Sequence, residues 1–263
     1  MSRFAQDTAV ESLGGGRYGA RIDRGWWIER GPNGGYLAAI VLRAVLAELN
    51  DPERRPRSFT LHYLRPPVEG PCEVEVVVER AGRGMTTVSA RLQQDGADCI
   101  VGLVALGVDR AAPALDDQPA PDVARPDEVP LPPDREAQVP IHARYVVRPV
   151  LGGEPFSASD EALTGGWIRT PDDDPVDVIL VAALTDAWLP AVFSRLTSPV
   201  GVPTIDLTIH FRQHPSGAPG WSFVRFRTRL AAEGYVEEDG EVWSSDGRLL
   251  AQSRQLAVLL APG

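Results

Sequence analysis

Apolar and polar positions along this chain fall into two repeating patterns. Short alternating runs read as β-strands, and two longer runs are apolar almost all the way round, as in helices buried on most sides. The first helical run, GYLAAIVLRAVLAELN, follows Gly31-Pro32-Asn33-Gly34-Gly35, where Asn33 is placed to cap it, and it ends at Asn50-Asp51-Pro52. A strand-like YGARIDRGWWIER precedes it. Four more strand-like runs follow: RSFTLHYLR from Arg57, CEVEVVVERA from Cys72, GMTTVSARLQQ from Gly84 and DCIVGLVALGV from Asp98. Turn signals at Pro66-Pro67, Gly82-Arg83-Gly84 and Asp95-Gly96 separate them, which suits an antiparallel meander.

From Arg110 to about Pro140 the composition shifts to Pro, Asp and Ala, with too little apolar surface to fold alone, so this stretch reads as a linker extended along the surface. The earlier order of elements then returns. ARYVVRPV and a run around Trp167-Ile168-Arg169 precede a second apolar helical run, Val176 to Arg195. After it come TIDLTIHFRQ, WSFVRFRTRL, GYVEEDGEVWSS and LLAQSRQLAVLL. Leu64-Arg65 is echoed by Phe211-Arg212, Gly84 by Gly234, and Asp95-Gly96 by Asp246-Gly247, in the same order at nearly constant spacing, which indicates an internal duplication. The expected organisation is a unit at 1–110, a linker at 111–140 and a second unit at 141–263. The fold class is α+β: two tandem antiparallel sheets, each wrapped around a long central helix, joined along their edges with a cleft between the halves.

A net charge of −10 opposes general affinity for nucleic acid or anionic membrane surfaces. Cys72 and Cys99 both lie in apolar strand runs and read as small core residues, which suggests a reducing compartment. The N-terminal residues lack the apolar core of a signal peptide and the apolar helical runs are too short to span a bilayer, so a cytoplasmic location is expected. Free sheet edges and broad apolar faces lead us to expect a homo-oligomer.

Residues Gly14 to Gly19, GGGRYG, fit the spacing G-x-G-x-x-G, but no strand precedes them and no helix follows, so they read as a turn. There is no nucleophile elbow, H-E-x-x-H, paired C-x-x-C or phosphate-cradling P-loop. His62, His142, His210 and His214 are scattered without metal spacing, so neither a metal nor a cofactor is expected. What remains are polar residues in apolar elements. Asp186 sits within the second helical run, Thr204 opens the next strand, and Gln255 interrupts the last one at an inward position of its alternation. A buried carboxylate needs partners or work to do. By the internal echoes, Gln255 corresponds to Val104 and Thr204 to Arg57 or its neighbour, and the first helix has no acid between Gly34 and Arg43. The polar set belongs to one half only, whereas a requirement of the fold would be met in both.

The chain resembles the acyl-CoA thioesterase II family, whose members are double hotdog proteins. The resemblance is carried by SFTLHYLRP from Ser58, the Gly34-Gly35 helix start, Trp167-Ile168-Arg169, LTDAWLP around Asp186, PTIDLTIHFR from Pro203 and DGRLLAQSRQ from Asp246. It implies hydrolysis of acyl-CoA or another acyl thioester, with Asp186, Thr204 and Gln255 as catalytic residues. Gly34 and Gly35 would contact substrate, together with Tyr36 at the position where the family often has a polar residue. A thioester is already electrophilic, so such a site needs chiefly a positioned water and donors for the developing oxyanion, and N–H groups near Gly34-Gly35 are candidate donors. Arg65, Arg169 and Arg212 are candidate cations for a CoA diphosphate. Two other readings stand beside this one. A hotdog hydratase acting on enoyl thioesters would carry a His about one turn after its Asp, where this chain has Pro190-Ala191; a noncatalytic acyl-thioester binding protein would keep the fold without turnover.

Overall fold

The structure, a computed structural model, describes residues 1–132 and 139–260. The first half begins with a short helix α1 (Arg3–Asp7), a hairpin β1 (Glu11–Gly14) and β2 (Arg17–Ile22), and the long helix α2 (Gly34–Leu49). Four strands follow: β3 (Arg55–Tyr63), β4 (Gly70–Ala81), β5 (Met85–Gln94) and β6 (Ala97–Gly107). The second half holds β7 (Val146–Gly152), β8 (Leu163–Arg169), helix α3 (Val178–Leu184), β9 (Thr204–Phe211), β10 (Ser222–Arg227), the two-residue β11 (Ala231–Ala232), β12 (Tyr235–Ser244) and β13 (Leu249–Val258).

All the strands form one antiparallel sheet in the order β1-β2-β4-β5-β6-β3-β9-β13-β12-β10-β8-β7, with β11 beside β12. Each half has the same topology: β2-β4-β5-β6-β3 is mirrored by β8-β10-β12-β13-β9. The halves meet where β3 pairs antiparallel with β9, Thr60 opposite Thr208, and those two hydroxyls lie 3.1 Å apart. Equivalent registers follow from the pairing. Val104 lies opposite Phe59 on β3 and Gln255 opposite Leu207 on β9, so Gln255 is the counterpart of Val104, as the echoes suggested.

Helix α2 begins where expected. The Asn33 side chain accepts the Tyr36 N–H at 2.9 Å, and Asn50 closes the helix in the left-handed conformation. Residues Gly35 to Leu42 are all buried, more than two consecutive turns, which requires protein on every side of the helix.

The second helical run differs from its reading. It is not one helix from Val176 to Arg195: α3 covers only Val178–Leu184, and a separate 3-10 turn covers Ala191–Ser194. Asp177 caps the start, its carboxylate accepting the Ile179 and Leu180 N–H groups. At the other end the Thr185 hydroxyl bonds back to Ala182 O, the Thr185 and Asp186 N–H groups turn to three-residue spacing, and Pro190 has no N–H with which to resume a helix. Asp186 therefore stands just past the end of a short helix, not in the middle of a long one. Continuous apolarity marked burial, and α3 is indeed buried from Ile179 to Leu184, but it did not reveal the break.

The segment after β6 has no regular secondary structure up to residue 125. Part of it lies on the outer face of the second half, where Val123 and Val129 pack against a cluster of Trp167, Phe223, Trp243 and Leu249 and Ala124 O accepts the Trp167 indole N–H at 2.8 Å. The last residues of the expected linker before Val139, 133–138, lie outside the described residues. The main core is continuous across the halves and includes α2, α3 and the facing residues of β2 to β6, β9 and β13. Gly14, Gly15 and Gly16 form the β1–β2 turn, all at positive φ, in keeping with their reading as a turn. No described helix is long and apolar enough to cross a membrane.

Candidate active site

The end of α3 abuts the start of α2. A Cβ on Gly35 would lie 2.3 Å from Ala183 O, and one on Gly34 would lie 2.9 Å from an Asp186 carboxylate oxygen and 3.0 Å from the Tyr63 ring, so the contact depends on both residues being glycine. Across it, Asp186 Oδ2 accepts the Gly35 N–H at 3.0 Å and an Asn33 amide N–H at 2.9 Å, while Asp186 O accepts the same Asn33 nitrogen at 2.6 Å. One half thus supplies the carboxylate and the other supplies both donors to its Oδ2. These donors sit at the positive end of α2, where a negative charge is favoured. Tyr63 closes the other side, its hydroxyl donating to Gly34 O at 2.9 Å.

Asp186 remains partly open to solvent although it stands deep in the protein mass. Burial pushes its pKa up to about 6, against the opposing pull of the Gly35 N–H, the Gln255 amide, the Gly34 N–H and the Asn33 amide. A carboxylate in that range is ionised at neutral pH and more basic than an ordinary one.

Thr204 and Gln255 are brought together. The Thr204 hydroxyl donates to Gln255 Oε1 at 3.1 Å, and the Gln255 amide favours the charged form of Asp186 while donating directly to Glu238 Oε1 at 2.9 Å. Glu238 was not singled out in the sequence. It is buried on β12 directly opposite Gln255 and also accepts the backbone N–H of Ala191, in the 3-10 turn that follows Asp186. The signal was present in the alternation of β12, where Val236, Glu238, Gly240 and Val242 share the inward face, so that an acid stands at an inward position.

Two expectations for the first half change. Tyr36 is not brought to Asp186: its ring is fully buried, stacked on Trp26 at 4.8 Å, and its hydroxyl donates to Asp7 O at 2.8 Å. One helical residue beyond Gly35, its side chain points about 100° away around α2. The Gly35 N–H, a candidate oxyanion donor, instead holds the carboxylate. Of the candidate cations, Arg65 and Arg212 are exposed, while Arg169 lies over the Trp221 ring at 5.1 Å. Among the described residues no cluster of three or more His, Cys, Asp or Glu side chains could hold a metal ion.

Family models for the acyl-CoA thioesterase N-terminal and C-terminal domains match residues 23–107 and 124–259. The chain belongs to the acyl-CoA thioesterase family. The activity class of the family is hydrolysis of acyl thioesters. Solved structures agree in fold. A hot dog fold protein from Alicyclobacillus acidocaldarius is 29% identical with a TM-score of 0.90, covering 100% of both chains. A Thermobifida fusca protein described as a thioesterase II is also 29% identical, with a TM-score of 0.86 over 99% of this chain and 98% of its own. An uncharacterized Mycobacterium tuberculosis protein is 26% identical over 91% of this chain and 90% of its own length.

Proposed function

We propose that this acyl-CoA thioesterase family member hydrolyses its substrate with a water held by Asp186, Thr204 and Gln255. The observation that supports this reading most is the Thr204–Gln255 pair, from β9 and β13, together with an Asp186 carboxylate past the end of α3 that is oriented through Oδ2 alone. With Oδ2 committed to Asn33 and Gly35, Oδ1 is left to take the proton of a water. The Thr204 hydrogen is spent on Gln255, so its lone pairs are free to accept the other hydrogen of that water. A water that donates both hydrogens turns its own lone pair outward, toward the thioester carbon. As its oxygen attacks, the proton passes to Asp186; the tetrahedral intermediate then expels the thiolate, which takes up that proton, leaving free acid and CoA thiol.

On this reading the chain is a double hotdog protein with units at 1–110 and 141–263 joined by the Pro-rich segment. The first unit is organised around the 16-residue α2, and the second supplies the reacting side chains around the 7-residue α3. The outer strands β1 and β7 end the sheet, and a second copy of the chain would pair there to make a homo-oligomer.

Thiol release from a panel of acyl-CoA substrates of increasing chain length tests the proposal. Release from at least one chain length is expected. No release from any of them contradicts it, and water addition to an enoyl-CoA without thiol release would favour a hydratase.

A further inference from the structure

Glu238 is a carboxylate buried at 7% exposure among side chains that could have been apolar. The duplicated fold makes that comparison internally. On β12 and β13, Glu238 faces Gln255; at the same positions of β5 and β6, Val88 faces Val104, and both valines are fully buried. The fold fills this place with two valines in one half, so packing does not call for an acid and an amide in the other. Burying a carboxylate costs several kcal/mol unless it is well paired. Burial pushes Glu238 up to about 7, with the Asp186 charge adding to the rise, so the group is held against an electrostatic cost.

Its hydrogen bonds have a direction. The Ala191 N–H can only donate, so the Glu238 oxygen facing it must accept. In its ionised form Glu238 has no proton to give, so its other oxygen also accepts, from Gln255 Nε2, which turns Gln255 Oε1 toward Thr204 and makes the Thr204 hydroxyl the donor in that pair. A Gln255 amide rotated by half a turn would oppose its carbonyl to the Glu238 carboxylate. It would also present an N–H to Thr204, whose lone pair would then be spent on the amide instead of on water.

Resting on the hydrolytic reading above, we propose that Glu238 is a positioning residue: it fixes the orientation of the Gln255 amide, and through it the direction of the Thr204 hydroxyl, so that the Thr204 lone pairs stay free for the water beside Asp186. It touches neither substrate nor water and acts only through Gln255.

Glu238→Gln is the direct test, because it keeps the size and reverses the polarity. The carbonyl of the new amide must accept from Ala191, which leaves its N–H₂ facing Gln255 and forces the Gln255 amide to rotate. Thermal unfolding establishes that the variant is folded, and acyl-CoA hydrolysis is then measured in it, in Gln255→Ala and in the double variant. The expected result is a kcat lowered about tenfold or more with KM within about twofold of wild type, and no further loss when the substitution is added to Gln255→Ala. Wild-type kcat in Glu238→Gln overturns the proposal. So does an undiminished loss in the Gln255→Ala background, which would mean that Glu238 acts by another route. Should Glu238→Gln not fold, Glu238→Asp is read in the same way, since its shorter carboxylate cannot hold both Ala191 and Gln255. Full activity in Asp186→Asn would instead remove Asp186 from the mechanism, and with it the water site on which the role of Glu238 rests.

Discussion

Asp186 Oδ2 accepts the backbone N–H of Gly35 at 3.0 Å, joining residues 151 positions apart in the two halves of the chain. The bond forms because α2 starts against the end of α3 with no Cβ in the way. The carboxylate is therefore oriented by the opposite half, and changes near Gly35 should be felt at Asp186.

Gly35→Ala should disturb both folding and turnover. The added Cβ would meet Ala183 O at 2.3 Å and Asp186 Cβ at 3.1 Å, so one helix must shift. Overpacking of this kind costs about 1–3 kcal/mol, which urea unfolding would read. Hydrolysis should fall further than the stability loss explains, because the shift moves the carboxylate. A variant with wild-type stability would show that the helices can separate without cost.

Asn33 has two tasks that substitution can separate. It caps α2 through its oxygen and holds Asp186 through its nitrogen. Asn33→Ser keeps a capping oxygen but cannot reach Asp186, whereas Asn33→Ala loses both and should cost about 1–2 kcal/mol. The Ser variant should be the more stable of the two yet still hydrolyse slowly. Loss of the amide donor should also raise the Asp186 pKa, moving the acidic limb of the kcat profile to higher pH. An unmoved limb in Asn33→Ser would show that Asn33 does not tune the carboxylate.

Much of this arrangement could be read in the sequence, and its gaps have physical causes. The Asp95-Gly96 and Asp246-Gly247 echoes located equivalent turns, and Asn33 announced the α2 cap, because turns and caps are local chemistry. The α3 break was hidden: Thr185 ends the helix through a side-chain bond, and the apolar run resumes at Ala187-Trp188-Leu189 directly after it. Glu238 was overlooked in an acidic strand, GYVEEDGEVW, where Glu237 and Asp239 pair with Arg254 near the surface and only the register of β12 distinguishes the inward acid. Tyr36 was named from the position where the resembling family often has a polar residue after the glycines, but neighbours in a helix face different directions, and here a Tyr at that position turns into the core.

The raised carboxylates also set how stability varies with pH. Asp186 moves from 3.8 to about 6 on folding and Glu238 from 4.5 to about 7, so the folded state binds protons more tightly than the unfolded chain. Their contribution to stability is greatest below pH 4 and is lost as pH rises through about 7, the two titrating together because they repel. Asp186→Asn removes one of these charges and should raise stability at pH 8, on the order of 2 kcal/mol, with little gain at pH 4. Equal or lower stability of that variant at pH 8 would show that the ionised Asp186 is fully compensated by its donors.

Turnover by the same variant bears on the chemistry itself. Acyl-CoA hydrolysis by Asp186→Asn, followed by thiol release at pH 8 on folded protein, should show kcat/KM lowered roughly 10²-fold or more, because the neutral amide cannot take the proton of water. A kcat/KM within about twofold of wild type would contradict the assignment of Asp186 as the group that activates it.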